Sequence, residues 1–360
     1  MKGLWKYLSP FAPDQSGATA VFCEMGGLIV IVDAGGCAGN ICGFDEPRWF
    51  GKKSAIFSAG LRDMDAILGR DDRLVEKIGD ACGKVGGKFV ALIGTPVPAV
   101  IGTDYKALKR MIEVKTGIPA LAIDTDGVHD YDLGCEKAWM ALFRTFAENS
   151  FGMEPGTFGI IGATPFDVPM EGICFDNAGS GYCYGMGAGI EEVKKAGTVM
   201  KNLVVAPSGL KAARYLAKRF GTPYEAVYPV EKIDHYTWFL EQIKEMESRG
   251  QGLKEILIVH QQVLACSLRE QLRRYTRARI TVAGWFGMDK ELAEPGDIAL
   301  REEDQWIRLT GERDYDLIIG DRLLRDAAPG YRGKFIPLDH FPISGKPLAF
   351  VREADRETES

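Results

Sequence analysis

Residues 28–49 decide the fold, and they read LIVIVDAGGCAGNICGFDEPRW. The segment opens with an apolar run over residues 28–32 that is rich in β-branched side chains. Such a run predicts a buried strand of a parallel sheet. The run ends at Asp33 and a pair of glycines, and Cys37 follows directly. Because open α/β folds bind ligands where their strands end, this loop is expected to place thiols at the carboxyl edge of a sheet.

The glycines of this loop favour contact with a bulky ligand. Gly35, Gly36 and Gly39 have no side chain, so they permit positive φ angles and let a ligand approach the main chain. Together with Asn40, these glycines are predicted to contact a bound cofactor.

The chain has eight cysteines, and only Cys37 and Cys42 form a close pair flanked by glycine. Two interpretations of this pair are open: two small buried side chains, or two thiolate ligands of a metal group. Thiolates suit iron–sulfur clusters and zinc, but both normally take four protein ligands. A two-fold dimer presents the same loop twice and would supply the remaining ligands.

Composition and charge exclude several classes of protein. The 360 residues are 46% hydrophobic and 26% charged, which is typical of a globular protein. A net charge of −6 does not favour nucleic-acid binding. No apolar run approaches the roughly 20 residues that span a bilayer, and the N-terminus lacks a secretory signal. We therefore expect a cytoplasmic protein with no nucleic-acid or membrane partner.

Strand-like apolar runs alternate with amphipathic helical segments along the chain, which predicts an α/β fold with parallel sheets. The predicted strands are residues 28–32, 89–93, 120–123, 203–205, 226–228, 256–259, 279–283, 316–319 and 334–337. We predict three domains, residues 1–150, 151–230 and 231–350, followed by a charged tail, 351–360. The first domain carries the Cys37 loop.

The third predicted strand ends in an acidic loop, residues 124–132. A solvated surface turn is one interpretation of this loop. The other is proton donation beside a redox site, with Asp126 and His129 as the candidate catalytic residues, because histidine titrates near neutral pH.

Two further histidines, His260 and His340, follow predicted strands. Either could contact a ligand, but we favour a structural role for both. The glycine-rich segment 179–189 does not have the spacing of a dinucleotide-binding motif. The sequence has no Walker A motif, so we expect no ATP bound by this chain.

Several motifs, taken in order, resemble those of the nitrogenase component 1-type oxidoreductases. The first is Ser16-Gly17-Ala18 followed by Gly35-Gly36-Cys37, which is similar to the family's "GA…HGPxGC" start. The others are residues 57–69, residues 94–104, Phe220-Gly221-Thr222-Pro223-Tyr224 and residues 314–320. Their order and spacing over most of the chain carry the resemblance.

The resemblance implies three Rossmann-like domains, pairing of subunits and an iron–sulfur cluster, expected to be [4Fe-4S], at the subunit interface. It makes Cys37 a cluster ligand. Two other ligand positions of the family are changed, since Gln15 and Ser16 precede the "GA" motif and Pro96 stands at the "TC" cysteine. Cys42, which the family motif does not require, is the candidate replacement.

The function that the resemblance implies is that of the catalytic component of a nitrogenase-like reductase. An ATP-hydrolysing iron protein would donate the electrons, and the substrate would be an unsaturated small molecule such as a tetrapyrrole rather than N₂. A non-catalytic metallocluster scaffold and a cluster-free partner subunit are the alternatives. The expected assembly is a homodimer, or a heterodimer or heterotetramer with a component 1 paralogue.

Overall fold

A computed structural model describes residues 5–41, 54–148, 152, 154–166, 168, 181–233, 236–248 and 252–346. Within these residues the chain forms three sheets, each made only of parallel strands, with helices packed on them. The predicted α/β class with parallel sheets is confirmed.

The first sheet has the strand order β2-β1-β3-β4. Its strands are β1 (Leu28–Ile31), β2 (Ala55–Ser58), β3 (Val90–Ile93) and β4 (Ala120–Ile123). Leu28 pairs with Val90 in the centre of this sheet, and every side chain of β1 and β3 is buried. All four strands are parallel, so their carboxyl ends meet at one edge.

The other two sheets follow in chain order. The second, with order β6-β5-β7-β8, contains β5 (Glu154–Ile161), β6 (Gly181–Cys183), β7 (Val199–Val204) and β8 (Tyr224–Ala226). The third, with order β11-β10-β9-β12-β13, contains β9 (Glu255–Val259), β10 (Arg279–Gly284), β11 (Ile298–Ala299), β12 (Leu317–Gly320) and β13 (Lys334–Pro337).

The α-helices connect these strands and cover the sheets. They are Asp14–Phe22, Asp63–Leu68, Asp71–Val85, Pro96–Ile101, Tyr105–Thr116, Tyr131–Phe146, Ile190–Lys194, Leu210–Phe220, Tyr236–Ser248, Gln262–Leu272, Glu303–Glu312, Arg322–Asp326 and Phe341–Ser344. Residues 36–41 are also helical. Among the helices that the structure describes, none combines the length and the apolar composition that a membrane crossing needs.

The structure differs from the sequence-based predictions mainly at short elements. Strands β2, β6 and β11 were not predicted, because all three are short and none is fully buried. Helix Tyr105–Thr116 is preceded by a separate short helix, Pro96–Ile101, which ends at Gly102 because this glycine adopts a left-handed conformation with φ of 71°. The acidic loop predicted over residues 124–132 ends earlier, because a helix begins at Tyr131.

One apolar core runs through the three sheets and includes Ile31, Ile161 and Leu257. The N-terminal segment also joins distant parts of the chain, since the buried Glu303 carboxylate accepts hydrogen bonds from the backbone N–H groups of Lys6, Tyr7 and Leu8. Because one core is shared by the three sheets, packing alone does not mark where one domain ends and the next begins. The proposed domain boundaries stay predictions.

Candidate functional site

Asp33 organises the loop that follows β1. Its buried carboxylate accepts a hydrogen bond from Ser58 Oγ at 2.6 Å and another from the backbone N–H of Ala38 at 2.7 Å. The second bond caps the helical residues 36–41, because the first N–H groups of a helix have no partner within the helix. Cys37 is thereby placed in the first helical turn, half-buried against the apolar core.

The predicted glycines of the loop have few neighbours in the part of the chain that the structure describes. A side chain built on Gly35, Gly36 or Gly39 would meet none of the described atoms within 4 Å, and Gly35 has a φ of 118°. Asn40 is exposed. The second predicted ligand, Cys42, lies outside the described residues. The structure thus brings Cys37 and the glycines together, while the ligand roles of Cys37 and Cys42 stay predictions.

Exposed apolar side chains lie on the segments that follow β2, β3 and β4, at the same edge of the sheet as Cys37. Val100 is 86% exposed and Val128 is 81% exposed. We call the set the carboxyl-edge apolar surface; it comprises Met64, Leu68, Val97, Val100, Ile101 and Val128. Clustered apolar side chains on a protein surface often mark an interaction site.

Asp126 and His129 contact each other in the acidic loop after β4, with 2.7 Å between Asp126 Oδ2 and His129 Nδ1. Burial alone would raise the pKa of Asp126, but hydrogen bonds from the backbone N–H groups of Val128 and His129 and from the His129 ring outweigh it and lower the pKa. The buried carboxylate of Asp14 accepts bonds from the N–H groups of Asp126 and Gly127 and fixes the loop. The catalytic role of this exposed pair stays a prediction.

A small cleft, with about 30 Å³ of space that water can occupy, lies where segments connected to the three sheets meet. Neither Asp126 nor His129 lines it. Its walls include Tyr131 and Asp132 from the first region, Ala206 and Ser208 from the second, and His260, Gln261, Phe286 and His340 from the third. Space of this size holds about one or two water molecules, so a small-molecule ligand would require the cleft to widen.

Asp132 is the acid of the 124–132 loop that reaches this cleft. Its Oδ2 accepts a hydrogen bond of 2.6 Å from the backbone N–H of Gly287. Burial raises the pKa of Asp132 to about 6, although the Gly287 bond opposes the change. The carboxyl group can therefore donate a proton near neutral pH. Sequence reasoning missed Asp132 because the helix was expected to begin after it.

His260 and His340 also line the cleft, although a structural role was favoured for both. Their rings stack with 4.2 Å between centroids. His260 Nε2 lies 3.1 Å from the carbonyl oxygen of Asp339. Burial lowers the pKa of His260 to about 4, and burial together with His260 lowers the pKa of His340. Both rings are therefore neutral at physiological pH.

The sequence model of the nitrogenase component 1 type oxidoreductases matches residues 14–283, which is most of the chain. The chain belongs to this family, and the resemblance seen in its motifs is confirmed.

Curated relatives and solved structures agree with this assignment. The chain is 26% identical over 260 residues to the nitrogenase iron–molybdenum cofactor biosynthesis protein NifE of Klebsiella pneumoniae, covering 61% of this chain and 55% of the relative. It is 23% identical over 298 residues to NifE of Clostridium pasteurianum, covering 78% of this chain and 65% of the relative. The match therefore spans less than two thirds of either relative.

A structure of nitrogenase Cp1 at pH 6.5 superposes with a TM-score of 0.68 over 95% of this chain and 88% of the other, at 13% identity, which shows a shared fold.

Proposed function

We propose that this chain is the cluster-bearing subunit of a nitrogenase-like reductase that reduces an unsaturated small molecule bound in the cleft. An ATP-hydrolysing iron protein is the proposed electron donor, and the chain itself binds no ATP. The proposal rests on family membership and on the placement of one thiol. Cys37 lies half-buried at the carboxyl edge of the first sheet, the edge that also carries the exposed apolar side chains.

The residues at this edge fit an iron–sulfur cluster shared between two subunits. Cys37 offers one thiol at the start of the helical residues 36–41. Cys42 is the proposed second ligand of the same chain. A cubane normally takes four cysteines, so a partner subunit has to complete the set, and the carboxyl-edge apolar surface supports that pairing. A bound cluster would supply single electrons.

The residues of the cleft support the proton side of a reduction. Asp132 is a carboxyl group with a pKa of about 6, so about half of the molecules carry its proton at pH 6 and about a tenth at pH 7. The apolar side chains of Val168, Leu264 and Phe286 in its walls favour an uncharged substrate. We therefore assign proton donation to Asp132, with the pair of Asp126 and His129 as the alternative outside the cleft.

Anaerobic purification tests the cluster assignment. Iron and acid-labile sulfide are measured, and the reduced protein is examined by electron paramagnetic resonance. We expect iron, sulfide and a cluster signal in the wild type and the loss of all three in Cys37→Ser. The matched control is Cys82→Ser, which changes a half-buried cysteine on helix Asp71–Val85 and should retain the cluster. An iron-free wild type, or a cluster retained in Cys37→Ser, would contradict the assignment.

A metallocluster scaffold is the second candidate function, and the names of the curated relatives favour it. Both relatives are iron–molybdenum cofactor biosynthesis proteins. A scaffold would hold a cluster and pass it to an acceptor protein without consuming electrons.

Turnover separates the two candidates. The protein is incubated with an iron protein, ATP and a reductant, in the presence of candidate unsaturated substrates. A reductase oxidises the reductant in a manner that depends on ATP and on substrate. A scaffold shows no such consumption and instead loses iron to an apo-acceptor.

A further inference from the structure

We infer that the N-terminal segment holds the cleft closed, and that its release lets the Phe286 ring move out of the cleft wall to admit a small apolar ligand. We call this segment, residues 5–13, the strap. The inference rests on the proposed function only in taking the cleft as the substrate site, and it does not depend on the cluster.

The cleft needs a part that can move before it can hold a ligand. Its space for water, about 30 Å³, is far below the roughly 150 Å³ of an apolar cavity that binds benzene. Phe286 lines the cleft and lies in residues 285–289, which form neither helix nor strand. Because its side chain ends in a phenyl ring, movement of that ring would free space for a ligand of about that size.

The ring of Phe286 links the strap to the cleft. Its centroid lies 5.0 Å from that of His340, which also lines the cleft, and 5.6 Å from that of Phe11 in the strap. The main chain beside it is held separately, because the N–H of Gly287 donates a hydrogen bond to Asp132. Since His340 is 4% exposed whereas Phe11 is only half-buried, Phe11 is the neighbour that can give way.

Hydrogen bonds attach the strap near both of its ends, although residues 5–12 form neither helix nor strand. Near the start, the Glu303 carboxylate accepts three hydrogen bonds of 2.6–2.9 Å from successive backbone N–H groups. Near the end, the N–H of Ala12 donates to the carbonyl oxygen of Pro342 at 2.8 Å. Hydrogen bonds to a charged group are stronger than those between neutral groups, so Glu303 is the stronger attachment.

Aromatic contacts connect the Glu303 attachment to the cleft wall. Trp5 lies at the attached end of the strap, and its ring centroid is 5.0 Å from that of Phe11 and 6.0 Å from that of Trp285. Phe11 in turn lies 5.3 Å from Trp285. These rings pack as one group, so release of the strap from Glu303 loosens the packing of Phe11.

Strap release and ligand binding must therefore promote each other. A ligand that displaces the Phe286 ring binds more tightly when the strap is loose, and by linkage the bound ligand loosens the strap by the same factor. A strap that only stabilises the fold predicts the reverse. Ligands that bind the folded state then slow the exchange of its amide hydrogens.

Fluorobenzene is a suitable probe, because it has the size of the displaced ring and its binding can be followed by ¹⁹F nuclear magnetic resonance. We expect Glu303→Gln to bind it roughly tenfold more tightly than the wild type, because this variant keeps the shape of the side chain but removes its charge and one acceptor oxygen. The matched control is Glu312→Gln, at the exposed end of the same helix, which should leave the affinity unchanged. In a Phe286→Ala background the ring is absent, so Glu303→Gln should no longer change the affinity.

Hydrogen exchange followed by mass spectrometry tests the same coupling in the wild type, without a substitution that could impair folding. Saturating fluorobenzene should speed the exchange of residues 6–12 by about the same tenfold factor and leave helix Asp71–Val85 unchanged.

Four results would overturn the inference. They are equal affinities of the wild type and Glu303→Gln, an effect of Glu303→Gln that persists without the Phe286 ring, slower exchange of the strap in the presence of the probe, and no binding of the probe to either protein. The measurements need neither iron nor turnover, so their failure is distinguishable from the failure of the proposed function.

Discussion

Asp126 and Asp132 belong to one acidic segment, yet their environments change their pKa values in opposite directions. Asp126 accepts several hydrogen bonds that stabilise its charge and lower its pKa despite partial burial. Asp132 is half-buried beside the cleft with the backbone N–H of Gly287 as its partner, and desolvation raises its pKa to about 6. The composition of the segment predicted acid–base chemistry. It could not identify the acid that faces the cleft, because that depends on where the helix begins.

The raised pKa of Asp132 predicts a pH dependence of stability. The folded state binds this proton more tightly than the unfolded state, whose pKa is near 3.8. The contribution of this proton to the free energy of unfolding is therefore fully present below about pH 4 and is lost as pH rises through about 6. We expect the unfolding free energy of the wild type, relative to Asp132→Asn, to fall by about 1–2 kcal/mol over that range.

Denaturant unfolding at several pH values measures this difference. Nearby Asp130 also raises the pKa of Asp132, and the cleft histidines His260 and His340 are neutral, so they add no opposing charge. Asp124→Asn, at an exposed position of the same segment, is the matched control. A free-energy difference between wild type and Asp132→Asn that does not vary with pH would contradict the assignment.

At the scale of elements, two glycines permit the closest contact between helices. Helix Asp14–Phe22 packs on helix Tyr131–Phe146. A Cβ on Gly134 would lie 1.7 Å from the carbonyl oxygen of Asp14, and a Cβ on Gly17 would lie 2.0 Å from the carbonyl oxygen of Tyr131. The Ser16-Gly17-Ala18 motif thus has a packing reason, since only glycine allows the two backbones to approach so closely.

Gly134→Ala should therefore destabilise the protein by about 3 kcal/mol, because the new methyl group forces the two helices apart. Thermal unfolding measures the loss. Gly83→Ala is the control, since this exposed glycine lies inside helix Asp71–Val85 and its Cβ would meet no atom within 4 Å. It should be neutral or stabilise by about 0.5–1 kcal/mol, because alanine favours the helix. Equal effects of the two substitutions would show that the contact is not as close as described.

Most buried strands could be predicted because each is a continuous apolar run. Strands β1, β3, β9 and β12 are of this kind, and β13 was placed at its observed position. The site was harder to predict. His260 follows β9 and His340 follows β13, and these strands are not adjacent in the sheet. Their rings meet only because the carboxyl ends of parallel strands share one edge, which local sequence patterns do not encode.

At the scale of the whole molecule, the carboxyl-edge apolar surface predicts the position of the subunit interface. Val100→Glu places a charge on this surface and should raise the dissociation constant of the oligomer at least tenfold, because an unpaired charge is costly to bury in an interface. Sedimentation velocity over a range of concentrations measures the change.

The control for this prediction is Val114→Glu. Val114 is 88% exposed, nearly the same as Val100 at 86%. It lies near the end of helix Tyr105–Thr116, which leads to the start of β4 and therefore to the opposite edge of the sheet. The Val114→Glu variant should leave the dissociation constant of the oligomer unchanged. Dissociation by Val114→Glu but not by Val100→Glu would place the interface elsewhere.

Native mass spectrometry of the anaerobically purified protein tests the shared cluster most directly. If Cys37 ligates a cluster between two subunits, the dominant species is a pair of chains that carries the mass of one iron–sulfur cluster. Cys37→Ser should lose that added mass. A cluster bound to a single chain, or a pair of chains without any added mass, would contradict the account.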